Sequence, residues 1–172
     1  MPDYRAYSRL GTVDSVKSES QGRPGERTFR LLVQAGLASA SLWLEKEQLQ
    51  QIAVYIQEVE SNPSSSSAEA LESPEATWSG EATNIDFKVG SLALGHDPTS
   101  NSFLFLAHET DADPDGPADL SFWVPFEMAQ KVSKESLAIC AAGRPRCFLC
   151  GRPINPDGHM CIRSNGHQSL RA

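Results

Sequence analysis

The sequence has no long apolar run, and its longest apolar stretches are short segments such as Leu92-Ala93-Leu94. A membrane-spanning helix needs about 20 mostly apolar residues, so we expect no membrane span. Residues 1–5 also lack a basic region followed by an apolar segment, which argues against a secretory signal. The sequence therefore predicts a cytoplasmic protein that does not act at a membrane.

Cysteine is missing from the first 139 residues, and all four cysteines lie between Cys140 and the C-terminus. A disulfide scaffold would distribute its cysteines through the fold that they cross-link. Cysteines that cluster around a Cys-x-x-Cys in a cytoplasmic chain indicate a metal site instead.

Positive charge is scarce in most of the chain. Residues 1–139 carry 10 basic and 21 acidic groups, a net charge of −11, and the remaining residues carry 5 basic groups and 1 acidic group, a net charge of +4. An acidic body repels phosphate, so nucleic acid is an unfavourable partner for the protein as a whole. The basic groups of the C-terminal segment are Arg144, Arg146, Arg152, Arg163 and Arg171.

An internal duplication, much degraded, organises the rest of the sequence. Residues 41–52 and 121–132 align without a gap, with Ser, Trp, Glu and Gln at the same places. Two further pairs of segments match in the same order. Residues 10–13 match 89–92, and residues 28–33 match 102–107. The matched blocks predict two units of the same structure.

Each unit is predicted to contain three strands and a helix. Apolar alternation and turn residues place the strands at about 5–16, 27–35 and 38–44 in the first unit, and at about 86–95, 101–109 and 118–124 in the second. The first helix begins near Glu45 and buries Leu49, Ile52, Ala53 and Ile56. The second helix starts at Pro125 and runs to about Ala142.

These elements predict an α+β fold, with a mostly antiparallel sheet, two helices on one of its faces and a C-terminal zinc knuckle. The expected division is a first unit at 1–60, a flexible linker at 61–80, a second unit at 81–143 and a zinc-binding tail at 144–172. The linker is rich in Ser, Glu, Ala and Pro, a composition with too little apolar surface to fold. Trp78 either pins the returning chain or covers apolar surface, and Trp43 and Trp123 are expected between sheet and helices.

The C-terminal segment carries the one pattern with specific chemistry. Cys147 and Cys150 form a Cys-x-x-Cys turn, residues 155–158 form a tight Asn-Pro-Asp-Gly turn, and His159 and Cys161 follow. Zinc is bound in a tetrahedron by cysteine sulfur and histidine nitrogen, and alternation along an extended segment brings residues 159 and 161 to one side. The predicted ligands of a structural Zn²⁺ are Cys147, Cys150, His159 and Cys161.

Alternatives to this ligand set remain open. His167 can replace His159, and Cys140 can reach the site from the end of the second helix, although its helical position also suits a small core residue. A redox dithiol would place Cys-x-x-Cys at the start of a helix, whereas here it follows one. Four candidate ligands within 15 residues indicate a closed site rather than a catalytic zinc with an open position.

The tail also resembles a known family. Residues 144–153 read Arg-Pro-x-Cys-x-x-Cys-Gly-x-Pro, and residues 157–166 read Asp-Gly-His-x-Cys-x-Arg-x-Asn-Gly. Together with residues 44–48 and 89–95, these motifs resemble the bacterial family called domain of unknown function 3090, which is found mainly in actinobacteria and Chloroflexi. Phe148 and Ile162 stand where the family usually has proline, and His167 stands where an aromatic residue is expected. The resemblance implies no particular activity.

Three functional hypotheses follow, and we favour the first. It is a non-enzymatic, zinc-stabilised adaptor or regulatory module whose partner is another protein. The second is an enzyme with a site between the two units that uses Glu47, Glu127 or His108, although the first helical turn already explains both glutamates. The third is nucleic-acid binding by the basic tail. No phosphate loop or Ser-His-Asp arrangement supports a catalytic reading.

Overall fold

The computed structural model describes residues 6–23, 26–62, 73–142, 147, 149–150, 159–161 and 169–170. Within these ranges the chain forms β1 (Ala6–Thr12), β2 (Ser15–Gln21), β3 (Thr28–Ala35), β4 (Ala38–Leu44), α1 (Lys46–Ser61), β5 (Thr83–Asp97), β6 (Ser102–Glu109), β7 (Ala118–Pro125), α2 (Phe126–Ala141), β8 (His159–Met160) and β9 (Ser169–Leu170).

The first seven strands form one sheet that closes on itself. Its strand order is β1-β7-β6-β5-β4-β3-β2, and only Val13 and Asp14 separate the two end strands in the chain. The Val13 N–H donates to the Trp123 carbonyl on β7 (3.0 Å), and the Asp14 N–H donates to the Gln34 carbonyl on β3 (2.8 Å). The two ends of the sheet therefore meet, which makes the sheet a closed barrel.

Four of the six strand pairings are antiparallel, namely β2–β3, β3–β4, β5–β6 and β6–β7. The pairings β4–β5 and β1–β7 are parallel, and they join the two halves of the chain. The α+β class and the two helices are as predicted. A mostly antiparallel sheet is also as predicted, whereas its closure was not expected from the sequence.

Each half contains a three-stranded antiparallel meander followed by a helix, β2-β3-β4-α1 in one and β5-β6-β7-α2 in the other. β3 and β6 both have 8 residues, and α1 and α2 both have 16. Two of the three blocks matched in the sequence thus lie on corresponding elements. The duplication itself stays a prediction.

In the third matched pair of segments, 10–13 with 89–92, the strand pairing differs from the sequence alignment by three residues. Val16 pairs with Val33 on β3, and Leu92 pairs with Ala107 at the matching place on β6. The pairing therefore matches Val16 with Leu92, whereas the sequence alignment matches Val13 with Leu92. Short apolar segments align equally well in several registers, so the sequence could not fix this one.

The strand expected at 5–16 divides into β1 and β2, because the chain leaves β7 at this point and joins β3. Gly11, just before the break, has a φ of +68°, and a Cβ there would overlap the Ala76 carbonyl. A side chain at position 11 is therefore excluded both by the backbone conformation and by the close approach. β2 then continues to Gln21, beyond the end predicted for this strand.

The main core fills the barrel and extends beneath the helices. Its largest fully buried side chains include Phe103, Phe105 and Phe122. α1 contributes one apolar stripe at helical spacing, as predicted, which consists of Leu49, Ile52, Ala53, Ile56 and Val59. α1 and α2 pack together, with the buried Ser133 hydroxyl donating to the Ala53 carbonyl (2.8 Å).

The end of the predicted linker lies along β1. The Thr12 N–H donates to the Glu75 carbonyl and the Trp78 N–H donates to the Leu10 carbonyl, each at 2.9 Å. The Trp78 indole packs partly against the main core, and its Nε1 donates to the Glu81 carbonyl (3.0 Å). These contacts fit both roles considered for Trp78, since its backbone holds the returning chain on β1 and its indole covers part of the main core.

Trp43 and Trp123 do not lie between sheet and helices, so that expectation is wrong. Both face outward from the barrel. Trp43 is half-buried, with its Nε1 donating to Asp86 Oδ1 (2.9 Å). Trp123 is 2% exposed and packs with Leu104 and Leu106, in a cluster separate from the main core.

Candidate metal centre

Three cysteine side chains meet near the C-terminus. The sulfur atoms of Cys147, Cys150 and Cys161 all lie within 4.8 Å of one another, and the Sγ atoms of Cys147 and Cys161 are 3.7 Å apart. Cys147 and Cys161 are buried, and Cys150 is half-buried. The three cysteines are unoxidised and close enough to bind a metal ion.

The turn between the first two cysteines prepares a thiolate. The backbone N–H of Cys150 donates to the Cys147 sulfur and lowers the pKa of that thiol, and the Leu149 N–H and the thiols of Cys161 and Cys150 act in the same direction. Burial opposes them, but the net pKa is below its ordinary value. Because metals bind the thiolate, this arrangement favours the ligand form of Cys147.

Cys161 reaches the cluster from a short hairpin. β8 pairs antiparallel with β9, with Met160 opposite Ser169, and Cys161 directly follows β8. His159 lies in β8, two residues before Cys161. The side chain of His159 lies outside what the structure describes, as does all of His167, so the choice of the fourth ligand stays a prediction.

Cys140 does not belong to this cluster. It lies in the last turn of α2 and packs in the main core, where its Sγ is 3.9 Å from the Lys46 carbonyl. Burial raises the pKa of the Cys140 thiol, so the neutral form is favoured there. This placement supports the core role that the sequence allowed for Cys140, and it argues against the alternative in which Cys140 is a ligand.

The donor set and its spacing fit zinc. With Zn–S bonds of about 2.3 Å, two sulfurs of a zinc tetrahedron lie roughly 3.8 Å apart, close to the 3.7 Å between Cys147 and Cys161. Iron–sulfur clusters typically use four cysteines, and the fourth cysteine of this chain is in the main core. Soft sulfur donors also disfavour magnesium and calcium.

The residues considered for an enzyme have different surroundings. Glu47 lines a surface cavity together with Gln50, Gln51, Val54, Tyr55 and Glu58, and this lining includes neither Glu127 nor His108. Glu127 is exposed in the first turn of α2. His108 is 6% exposed, with its Nε2 3.1 Å from the Gly116 carbonyl. The cavity beside Glu47 therefore does not bring the three residues together.

A cleft between α1 and β5 is a second candidate binding site, and it was not predicted from the sequence. Its volume is about 430 Å³, and its lining includes Ile52, Tyr55, Leu92 and Leu94. No local motif marks it, because its two walls are about 40 residues apart in the chain. Val54, an apolar residue on the polar face of α1 that is 40% exposed, lines a neighbouring cavity and not the cleft itself.

The family model for a protein of unknown function, DUF3090, matches residues 9–161. The chain belongs to this family. The match covers both halves of the barrel and the three clustered cysteines, as the motifs at both ends of the sequence suggested. No curated protein and no solved structure matches the chain.

Membership in DUF3090 assigns no activity, so the three-cysteine cluster is the most specific chemical feature of the chain. Among the described residues, no helix is long and apolar enough to cross a membrane.

Proposed function

We propose that this DUF3090 chain is a non-enzymatic interaction module whose C-terminal segment is held in place by one structural Zn²⁺. Cys147, Cys150 and Cys161 supply three ligands, and His159 supplies the fourth. The proposal rests above all on the convergence of three sulfur atoms within 4.8 Å.

Several properties of the site favour a structural role for the ion. Two of the three thiols are buried, and the described part of the chain brings no acid–base residue into the cluster. A catalytic zinc needs an open position and a neighbouring group that moves a proton. A fourth protein ligand closes the tetrahedron, and the ion then stabilises the segment without reacting.

The choice of His159 follows from its position. It is two residues before Cys161, and side chains two apart in an extended strand point to the same side. The position of His159 in the short strand β8, with Cys161 directly after it, supports this choice. A set of three sulfurs and one nitrogen is common in structural zinc sites.

The zinc content of the purified full-length chain tests the proposal. We expect one zinc per chain, lost in Cys147→Ser and strongly reduced in His159→Ala. Cys140→Ser is the matched cysteine control and should keep its zinc, and His167→Ala is the matched histidine control. Zinc loss in His167→Ala but not in His159→Ala would show that His167 is the fourth ligand instead of His159. Zinc-free wild-type protein would refute the site.

A structural role makes a second prediction about the same variants. Cys147→Ser should retain the far-ultraviolet circular dichroism and cooperative unfolding of the barrel, while the C-terminal segment becomes sensitive to protease. For the interaction role, affinity purification of the tagged zinc-loaded protein should recover a stable partner, and repeated recovery of the bait alone would contradict it.

A further inference from the structure

The cleft between α1 and β5 corresponds to a place that is filled in the other half of the barrel. Val16 and Ser18 of β2 are 7% and 4% exposed where α2 packs on that strand. Strand pairing matches these residues with Leu92 and Leu94 of β5. Both leucines are only partly buried, and they line the 430 Å³ cleft beside α1.

The walls of the cleft combine apolar and uncharged polar groups. Gln48, Gln51, Ile52 and Tyr55 of α1 line one wall, and Gly90, Ser91, Leu92 and Leu94 of β5 line the other. Tyr55 is anchored by an edge-to-face contact with Phe103, with ring centroids 6.1 Å apart. This contact ties Tyr55, one wall of the cleft, to the main core.

A second cavity of about 440 Å³ adjoins the cleft on the outer side of α1 and shares Gln51 and Tyr55 with it. Its lining places the exposed Val54 between Glu47 and Glu58. These two carboxylates are eleven residues apart, about 16 Å along a helix. Among the described residues, no lysine or arginine lines either cavity.

We propose that the α1–β5 cleft and the adjoining α1 face dock a basic amphipathic segment of a partner protein. Apolar side chains of that segment pack on Tyr55 and the two leucines, and its lysines or arginines pair with Glu47 and Glu58. The inference rests on the proposed role as an interaction module.

Charge complementarity decides in favour of a basic occupant. The first 139 residues have a net charge of −11, which attracts a cationic segment over a long range and speeds its association. A neutral amphipathic helix would gain the same apolar contacts without attraction to the exposed Glu47 and Glu58, and an acidic one would be repelled by them. Helix-in-groove recognition of this kind uses apolar anchors at helical spacing.

The test uses the zinc-loaded full-length protein and a fluorescent 14-residue peptide made only of leucine and lysine, ordered to form an amphipathic helix. A peptide of the same composition with scrambled order controls for charge alone. Fluorescence anisotropy at low salt should show saturable binding of the ordered peptide and at least tenfold weaker binding of the scrambled one. Equal binding of both, or no binding, would overturn the proposal.

Paired variants then locate the site. Glu47→Lys/Glu58→Lys should weaken binding at least tenfold, whereas Asp111→Lys/Asp115→Lys, with the same change in net charge on an exposed loop, should change it less than threefold. Val54→Lys should also weaken binding, and Leu37→Lys, at an apolar position that is 67% exposed, should not. If the two variants of each pair weaken binding equally, the peptide is attracted only by the overall charge of the protein. That result would refute the docking site.

Two further outcomes separate this inference from the proposed function. If the wild-type protein does not bind the peptide but the variant Arg163→Ser/Arg171→Ser does, the chain's own basic C-terminal segment occupies the cleft. The assignment of a partner protein is then wrong. If a partner recovered with the tagged wild-type protein is recovered equally with Glu47→Lys/Glu58→Lys, the cleft is not its docking site, although the interaction role stands.

Discussion

Two cross-strand pairs at matching places on the barrel have opposite surroundings. On the outer face of the first half, Arg30 of β3 pairs with Trp43 of β4. On the outer face of the second half, Leu104 of β6 pairs with Trp123 of β7. The tryptophans correspond in the sequence, but their neighbours do not.

The first pair belongs to a polar, partly exposed surface. The Arg30 guanidinium lies 5.0 Å from the centroid of the Trp43 ring, and its Nη2 is 2.7 Å from Glu19 Oε2. In the second pair, Leu104 and Trp123 are 4% and 2% exposed and pack with Leu106. One outer face of the barrel is therefore open and charged, and the other is closed and apolar.

The inward residues of the same strands do not differ in this way. Phe29 and Leu31 of β3 and the matching Phe103 and Phe105 of β6 are all buried in the main core. The interior of a barrel leaves no choice but apolar side chains, whereas the exterior depends on what covers each half. Matching sequence patterns thus predict which side of a strand faces the core, but not what lies on the other side.

Among substitutions that exchange residues between these two outer faces, the one at Leu104 should lower the free energy of unfolding most. Leu104→Arg places a charge among the buried apolar side chains of Trp123, Leu106 and Ala118. We expect a loss of about 4 kcal/mol or more in the free energy of unfolding, as for an unpaired buried charge. Urea denaturation with zinc held constant measures it.

The control for this variant is Leu32→Arg, on the open face of β3 and half-buried. There the guanidinium reaches water, so we expect a loss of about 1 kcal/mol or less, as for most surface substitutions. Equal losses in the two variants would show that the two outer faces are not different environments.

The next largest effect is expected for Trp123→Ala. Removing a fully buried tryptophan loses its transfer free energy and leaves a cavity, which together cost about 3 to 5 kcal/mol. Thermal and urea unfolding should both report the loss. A change below about 1 kcal/mol would mean that the side chain is far less buried in solution than 2% exposure implies.

The strands and helices of both halves were predictable because their signals are local. α1 has an apolar stripe at helical spacing, and β3 alternates between buried and more exposed residues along its length. Closure of the barrel was not predictable, since it depends on the bend at Val13 and Asp14, where one strand exchanges β7 for β3 as its partner. Nothing in those two residues marks such an exchange.

The metal centre was likewise predictable only in part. The Cys-x-x-Cys turn and the following Cys161 indicated a shared site, and the structure brings these three sulfurs together. The position of Cys140 stayed undecided because a helix end can face either the core or the tail. The contact of its thiol with Lys46 places it in the core, which only the packing of α2 against α1 could determine.

A smaller effect is expected for Trp43→Ala. Trp43 is half-buried and loses its contact with Arg30, a cation–π interaction of about 0.5 to 1 kcal/mol at exposed sites. With the loss of part of its apolar contact area, we expect a total of about 1 to 2 kcal/mol in urea denaturation. The comparison of faces predicts that this loss is less than that of Trp123→Ala, and a loss as large would contradict it.

The smallest effect is expected for Arg30→Leu, the reciprocal of the change at Leu104. It removes the stacked guanidinium and an ion pair with Glu19 that is partly exposed and therefore contributes little. A leucine opposite Trp43 restores part of that contact, because apolar cross-strand pairs contribute about 0.2 to 1 kcal/mol. We expect the free energy of unfolding to change by about 0.5 kcal/mol or less, with Glu19→Gln as the control for the ion pair alone. A loss comparable to that of Leu104→Arg would mean that the open face depends on Arg30 as strongly as the closed face depends on its leucine, and the contrast between them would then lie in chemistry rather than in burial.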